Sequence, residues 1–132
     1  MTARVLVVDD EPQVRSAVER ALRREGYEVL SASSADSAYV MLSDAQVDAV
    51  LLDLLLPEMG GEALFLVLIR RWPYLLGRIV IMSGHPNLDR EHWPPELLAC
   101  PRLEKPFALD ELYRVLAEVI GGSADQRRSG IG

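Results

Sequence analysis

Short apolar runs alternate along the chain with segments in which apolar residues recur every three or four positions. Residues 5–8, 47–52 and 78–82 are strand-length runs rich in Val, Ile and Leu, and weaker strands are predicted at residues 28–32 and 102–104. A strand that is apolar on both sides must be covered on both faces. The pattern therefore predicts an α/β domain, with a parallel sheet and helices on each side.

Helical periodicity follows the strands, giving five βα units in all. The first helix has Pro12 in its first turn and Gly26 just past its end, the usual places for these residues. The fourth is predicted to be at best two short pieces, because Pro94 and Pro95 interrupt residues 88–99. The last is predicted to end near Ile120. Residues 1–120 are thus interpreted as one domain, and residues 121–132, which lack periodicity, as a flexible tail or truncated linker.

The third helix, "GEALFLVLIRRW", is apolar almost all round. Its predicted core face consists of Leu64, Phe65, Leu68 and Trp72. The remaining apolar positions are Leu66, Val67 and Ile69. A helix of this kind is either buried more completely than a surface helix or presents a contact patch. We favour a surface for a partner or for self-association.

Composition narrows the classes of function. The chain of 132 residues has a net charge of −6, which argues against binding to nucleic acid. Cys100 is the only cysteine, so an intrachain disulfide or a zinc site built from cysteines is excluded. The longest apolar run, residues 63–69, is too short to span a membrane. We expect a soluble cytoplasmic protein.

Polar side chains follow four of the predicted strands. The sequence places Asp9 and Asp10 after the first strand, Asp53 after the third, Ser83 after the fourth and Lys105 after the fifth. Parallel strands bring their carboxyl ends to one edge of a sheet, where ligands bind. Three carboxylates suit a hard divalent cation such as Mg²⁺, and one lysine suits an anion beside it. The set indicates phosphoryl chemistry.

At this point the sequence resembles the receiver domain of two-component response regulators, over about residues 4–120. The matching motifs are Asp9-Asp10, Asp53 with Pro57 and Gly61, Ser83-Gly84, and Lys105-Pro106-Phe107. Each motif alone is common, but the four together in this order are specific. The resemblance implies a flavodoxin-like (βα)5 fold with strand order 2-1-3-4-5.

The resemblance also implies roles for these residues. Asp53 is expected to accept a phosphoryl group from a phosphohistidine of a sensor histidine kinase or phosphotransfer protein. Mg²⁺, or Mn²⁺, is expected at Asp9, Asp10, Asp53 and the backbone carbonyl of Leu55. Such a domain is not a conventional enzyme, since it catalyses only its own phosphorylation and dephosphorylation.

Four further roles are implied beside the phosphoacceptor. Lys105 is expected to bind a phosphoryl oxygen, and Ser83 to donate its hydroxyl to another as the switch residue. Gly84 leaves room for the phosphate. Pro106 is expected to follow a cis peptide bond.

Three positions stand out against the family pattern. Arg102 stands where the family usually has a tyrosine or phenylalanine that turns inward with the switch hydroxyl. A guanidinium cannot be buried as a ring can. We therefore predict a non-standard relay on the face formed by the fourth helix, where the family's usual output lies. Leu55 and His85 occupy the positions that flank the attacking water. Because leucine cannot orient water, we predict slow self-dephosphorylation unless His85 does so.

Other interpretations stay open. A pseudo-receiver would be an interaction module that is not phosphorylated, but every expected site residue is present. A Mg²⁺-dependent phosphohydrolase usually has a second acid two residues after its nucleophilic aspartate, where this chain has Leu55. The sequence could also be a receiver segment cut from a hybrid histidine kinase.

Overall fold

The computed structural model describes residues 2–56, 59–84 and 91–121 in full, and the backbone of residues 122–131. Its centre is a parallel sheet of five strands in the order β2-β1-β3-β4-β5, which confirms the order implied by the resemblance. The strands are β1 (Arg4–Val8), β2 (Glu28–Ala32), β3 (Ala49–Asp53), β4 (Ile79–Ser83) and β5 (Arg102–Glu104).

Helices cover both faces of the sheet, as the apolar strands required. They are α1 (Pro12–Arg24), α2 (Ala35–Asp44), α3 (Gly61–Arg71), α4 (Pro95–Leu98) and α5 (Leu109–Ile131), with a 3₁₀ turn at Pro73–Leu75. Side chains of α1 and α5 pack on one face of the sheet. Those of α2 and α3 pack on the other, together with Trp93 and Leu97 from the α4 region.

Alternation along β1 produces these two cores. Val5 and Val7 belong to the core under α1 and α5, whereas Leu6 and Val8 belong to the core under α2 and α3. Successive side chains of a strand point to opposite faces, and all four are fully buried. The acids that follow β1 are thereby fixed at the edge of the sheet.

Two predicted boundaries differ from the structure by more than one residue. β3 begins at Ala49 rather than at residue 47, because the side chain of Asp48 turns to accept the backbone N–H of Arg4 at 2.8 Å. α5 continues past Ile120 to Ile131, because a helix that is already formed extends by backbone hydrogen bonds that need no apolar pattern. The division of the chain at residue 120 stays a prediction.

The third and fourth helices follow the sequence pattern closely. In α3, Leu64, Phe65 and Leu68 are buried as predicted, while Trp72 is only half-buried and packs against the ring of Tyr39. The proposed contact residues are also half-buried: Leu66, Val67 and Ile69. Two of these three pack partly against the core, so the association surface stays a prediction. α4 has only four residues, as its prolines predicted.

No helix in the described part of the chain combines the length and the apolar character needed to cross a bilayer.

Candidate functional site

The sheet brings the polar strand ends together at its carboxyl edge. Asp53 and Ser83 are the last residues of β3 and β4, while Asp9 and Lys105 directly follow β1 and β5. The register places Asp53 opposite Met82 and Ser83 opposite Glu104. The predicted convergence of these side chains is therefore present in the fold.

Asp9 is completely buried and held on several sides. Its N–H donates to the carbonyl of Ala32 at 3.1 Å, and its Oδ1 accepts the N–H of Glu11 at 2.9 Å. Arg15, one turn into α1, donates from Nη1 to the carbonyl of Asp9 at 2.7 Å. These contacts fix the direction in which the carboxylate points.

Asp53 is 2% exposed, and the start of α3 packs closely against the end of β3. Its Oδ1 accepts the N–H of Leu55 at 3.0 Å. The N–H of Gly61 donates to the carbonyl of Leu54 at 2.9 Å. A Cβ at Gly61 would lie 2.3 Å from the Cα of Leu54, so only glycine allows this approach of α3 to the end of β3.

Lys105 connects the two buried acids. Its Nζ lies 2.6 Å from Asp9 Oδ2 and 3.2 Å from Asp53 Oδ2. Glu11 Oε1 is farther away, at 3.9 Å. The backbone N–H of Lys105 donates to the carbonyl of Ser83 at 2.7 Å. The peptide bond from Lys105 to Pro106 is cis, as the resemblance implied.

The pKa values of Asp53 and Lys105 are both shifted, by burial and by their charged neighbours. Burial raises the pKa of Asp53, while the Leu55 N–H and the charge of Lys105 partly offset this effect. For Lys105, burial lowers the pKa, but its hydrogen bond to Asp9 and the charge of Asp53 outweigh it, so the net shift is upward. Lys105 is therefore a fixed positive charge at neutral pH.

Three carboxylates at this edge could hold a cation. Asp9, Asp10 and Asp53 each offer one oxygen, and these oxygens lie within 4.8 Å of one another. Asp10 is exposed, whereas the other two are buried. Three carboxylates beside one ammonium leave two surplus negative charges, which suits a hard divalent cation. The acidic cluster thus fits a metal of the Mg²⁺ type.

The remaining predicted site residues lie around this cluster. Ser83 is buried, 7% exposed, at the end of β4. Gly84 has open space where a Cβ would be and lines a mostly apolar groove of about 480 Å³ beside Lys105. Pro57 and His85 lie outside the described residues. The side chain of Leu55 is 44% exposed, so its predicted place near an attacking water stays a prediction.

Arg102 lies at the other end of β5 from Lys105. It is half-buried at the start of β5, where it pairs with Ile81 of β4. Ile81 belongs to the core under α2 and α3. The residue at the usual aromatic position is therefore a guanidinium on the sheet face that also carries Trp93.

Sequence reasoning missed two contacts. Arg15 is one: an arginine four residues after Glu11 on a helix is typical of a solvated surface, and nothing local showed that it reaches Asp9. The other is the indole of Trp93, whose Nε1 donates to Glu62 Oε1 at 2.9 Å. These residues are 31 positions apart, and no sequence pattern pairs them.

Comparison with known proteins agrees with this geometry. The family model described as "Response regulator receiver domain" matches residues 5–117. The chain belongs to this family. The transcriptional regulator NtrC from Proteus hauseri is 31% identical over 124 residues, which cover 94% of this chain and 26% of that protein.

Two solved structures of response regulators are similar to this receiver domain. NtrX from Brucella abortus, solved with ADP, has a TM-score of 0.85 and 33% identity, covering 98% of this chain and 30% of that chain. TrrA from Thermotoga maritima, solved with Mg²⁺ and BeF, has a TM-score of 0.77 and 25% identity, covering 90% and 99%. The receiver domain thus spans about a quarter of the NtrC and NtrX chains and nearly all of TrrA.

Proposed function

We propose that this receiver domain accepts a phosphoryl group on Asp53 from the phosphohistidine of a sensor histidine kinase or phosphotransfer protein, and signals by changing conformation. The observation that carries the proposal is a buried carboxylate, Asp53, placed beside two further acids and one lysine. This is the arrangement that a negatively charged nucleophile needs in order to meet a negatively charged donor.

The transfer breaks one bond and forms another. A carboxylate oxygen of Asp53 attacks phosphorus, the N–P bond of the donor breaks, and its electron pair returns to the imidazole nitrogen. The product is an acyl phosphate, which water later hydrolyses to restore the carboxylate. Lys105 binds one phosphoryl oxygen as a point charge, and the hydroxyl of Ser83 donates to another.

A divalent cation completes the site in this proposal. Asp9, Asp10 and Asp53 would hold it, with the carbonyl of Leu55 as a further ligand. When bound, Mg²⁺ (or Mn²⁺) screens the charge of the incoming phosphoryl oxygens from the carboxylates. The cluster of carboxylate oxygens within 4.8 Å and the solved complex of TrrA with Mg²⁺ and BeF support this choice.

The phosphodonor protein has an apolar groove to dock against. The groove adjoins Lys105 and Gly84, and its apolar lining comes from Val14, Ala17, Val18, Pro106, Phe107 and Leu109. A partner helix seated there would bring its phosphohistidine to the acidic edge. The same geometry serves a single-domain regulator and a receiver module within a longer protein or a hybrid kinase.

Phosphorylation in vitro tests the proposal. The chain is incubated with a small phosphoryl donor and Mg²⁺, and intact mass is measured with time. We expect one acid-labile phosphoryl adduct, which Asp53→Asn abolishes and chelation of the metal prevents. Asp48→Asn, which removes an acid at the opposite edge of the sheet, is the matched control and keeps the adduct.

Two other results would replace the proposal. An unmodified chain at every donor concentration identifies a pseudo-receiver. Steady consumption of the donor without an adduct identifies a phosphohydrolase.

Self-association through α3 is a second, smaller proposal. Val67 is half-buried without being part of the core, and the exposed side chains of Tyr39 and Val40 on α2 add apolar surface. Light scattering at high concentration is expected to show a dimer that Val67→Lys dissociates. A monomer at every concentration contradicts this proposal and leaves the phosphoacceptor function standing.

A further inference from the structure

One hydrogen bond joins the start of α3 to the segment that precedes α4. The Nε1 of Trp93 donates to Glu62 Oε1 at 2.9 Å. The indole is only 6% exposed and belongs to the core under α2 and α3, whereas Glu62 is exposed on the first turn of α3. A carboxylate at the surface thus anchors a buried aromatic ring.

Glu62 is linked to Asp53 through the packing of the first turn of α3 against the end of β3. It follows Gly61, whose N–H donates to the carbonyl of Leu54 at 2.9 Å. A Cβ on Gly61 would lie only 2.6 Å from the carbonyl oxygen of Asp53, so the first turn of α3 rests directly on the end of β3. Interiors packed this tightly transmit small displacements.

The carboxylate of Asp53 also holds the loop after it. Its Oδ1 accepts the N–H of Leu55 at 3.0 Å. Phosphorylation turns this carboxylate into an acyl phosphate, whose phosphoryl oxygens are stronger acceptors for nearby donors than its remaining carbonyl oxygen. The Leu55 N–H would then have a competing partner, which would weaken the hydrogen bond that holds the backbone after β3.

To transmit a change at Asp53 to α4, a side chain on the face of the sheet that packs against α4 has to move. Arg102 is half-buried on that face, and a guanidinium is charged whether or not Asp53 carries a phosphoryl group. Phe65 and Trp93 are both buried aromatic side chains of the core on that face, but only the indole of Trp93 can donate a hydrogen bond. It also has a polar contact that the β3–α3 connection can strengthen or weaken.

We propose that the hydrogen bond between Trp93 and Glu62 couples Asp53 to the α4 segment, holding the resting arrangement until a phosphoryl group on Asp53 shifts the first turn of α3 and releases the indole. The inference rests on the proposed function. A contact made only in the resting state must lower the affinity for whatever favours the other state. Its removal therefore tightens binding of a phosphoryl mimic.

Beryllofluoride with Mg²⁺ is the probe, since it stands in for the phosphoryl group on an aspartate. Fluorine NMR measures the bound fraction, independently of any change at tryptophan. The chain contains two tryptophans, so Trp72→Phe leaves Trp93 as the sole tryptophan fluorophore. We expect Trp93 emission to change in proportion to the bound beryllofluoride. The indole N–H signals of the unmutated chain, followed by nitrogen–proton NMR, provide the same readout without substitution.

Variants of Glu62 test the coupling. Glu62→Ala removes the acceptor and is expected to bind beryllofluoride about three- to tenfold more tightly, which corresponds to one net hydrogen bond. Glu62→Gln retains an acceptor oxygen and is expected to restore the original affinity. Glu96→Ala removes an exposed acid from α4 and is the matched control for lost charge, with unchanged affinity expected.

The outcomes separate this inference from the proposed function. Bound beryllofluoride with unchanged Trp93 signals overturns the coupling and leaves the phosphoacceptor site standing. The coupling is likewise overturned if Glu62→Ala binds no more tightly, or if Glu96→Ala tightens binding equally. If no bound fluorine signal forms on the unmutated chain, the proposed function fails and the coupling with it.

Discussion

The two ends of the sheet both carry clusters of charged side chains, but the clusters differ in burial and in how far their charges are compensated. At the carboxyl end, Asp9 and Asp53 are buried and share Lys105. At the amino end, Arg4 Nε lies 3.2 Å from Glu28 Oε2, and their side chains are 34% and 50% exposed. At the carboxyl end the acids outnumber the bases, whereas at the amino end acid and base form a solvent-exposed ion pair.

Cavity size does not distinguish these ends. The cleft at the amino end has about 590 Å³ and is lined by residues such as Arg4, Asp48, Tyr74 and Arg78. The groove beside Lys105 is smaller, at about 480 Å³. What marks the carboxyl end is uncompensated buried charge, which costs stability unless it serves a ligand. Matched substitutions at the two ends should therefore differ in effect.

The largest difference is expected between two cations. Lys105→Ala removes the ammonium that binds the phosphoryl oxygen, and phosphorylation by a small donor is expected to slow about 100- to 1,000-fold, the usual size for one lost electrostatic contact. Arg78→Ala at the amino end is expected to leave the rate unchanged. The rates come from intact mass against time, and equal rates for the two variants would remove the distinction between the ends.

A difference in stability is expected between two glycines. Gly61→Ala places a Cβ 2.3 Å from the Cα of Leu54, and we expect a loss of about 3 kcal/mol in the free energy of unfolding. Gly77 lies near the amino end with φ +86° and open space around it, so Gly77→Ala should cost about 1 kcal/mol for backbone conformation alone. Urea unfolding measures both, and the comparison fails if Gly77→Ala costs more.

A smaller kinetic effect is expected at two exposed leucines. Leu55→Asn supplies an amide that can orient the attacking water, so loss of phosphate from Asp53 is expected to accelerate up to about tenfold. Leu76→Asn, at a side chain that is 55% exposed, is the control and should have no effect. The adduct lifetime is followed by mass after removal of the donor. Unchanged lifetimes in both variants contradict a role for Leu55 in slow dephosphorylation.

The smallest effect concerns two aspartates. Because burial raises the pKa of Asp53, its ionised form is disfavoured in the fold, and Asp53→Asn is expected to raise the free energy of unfolding by about 1 kcal/mol at neutral pH. The gain should shrink as the pH falls below the folded-state pKa of Asp53, and it should vanish near the unfolded-state pKa, below which Asp53 is neutral in both states. Asp48→Ala removes the acceptor of the Arg4 N–H and should destabilise by about 1 kcal/mol.

Urea unfolding of these two variants across acidic and neutral pH checks the signs. A loss of stability in Asp53→Asn at neutral pH would show that Lys105 fully compensates the buried acids.

The sequence by itself determined the alternation of strands and helices, and it predicted which side chains the sheet brings to its carboxyl edge. Strand and helix periods are local properties, and parallel strands always present their carboxyl ends at one edge. Asp9, Asp53 and Lys105 could therefore be assigned to one site before any contact was known. The boundary of β3 was less predictable, because it depends on where the Asp48 side chain finds a donor.

Only the tertiary structure decided which side chains touch. Lys105 reaches Asp9 across 96 positions of sequence, and its closer approach to Asp9 than to Asp53 is a matter of packing. Arg15 beneath Asp9 and Trp93 against Glu62 have no signal in the sequence. A hydrogen bond between distant residues depends on distances of tenths of an ångström, which are set by the packing of all the elements together and not by any one segment.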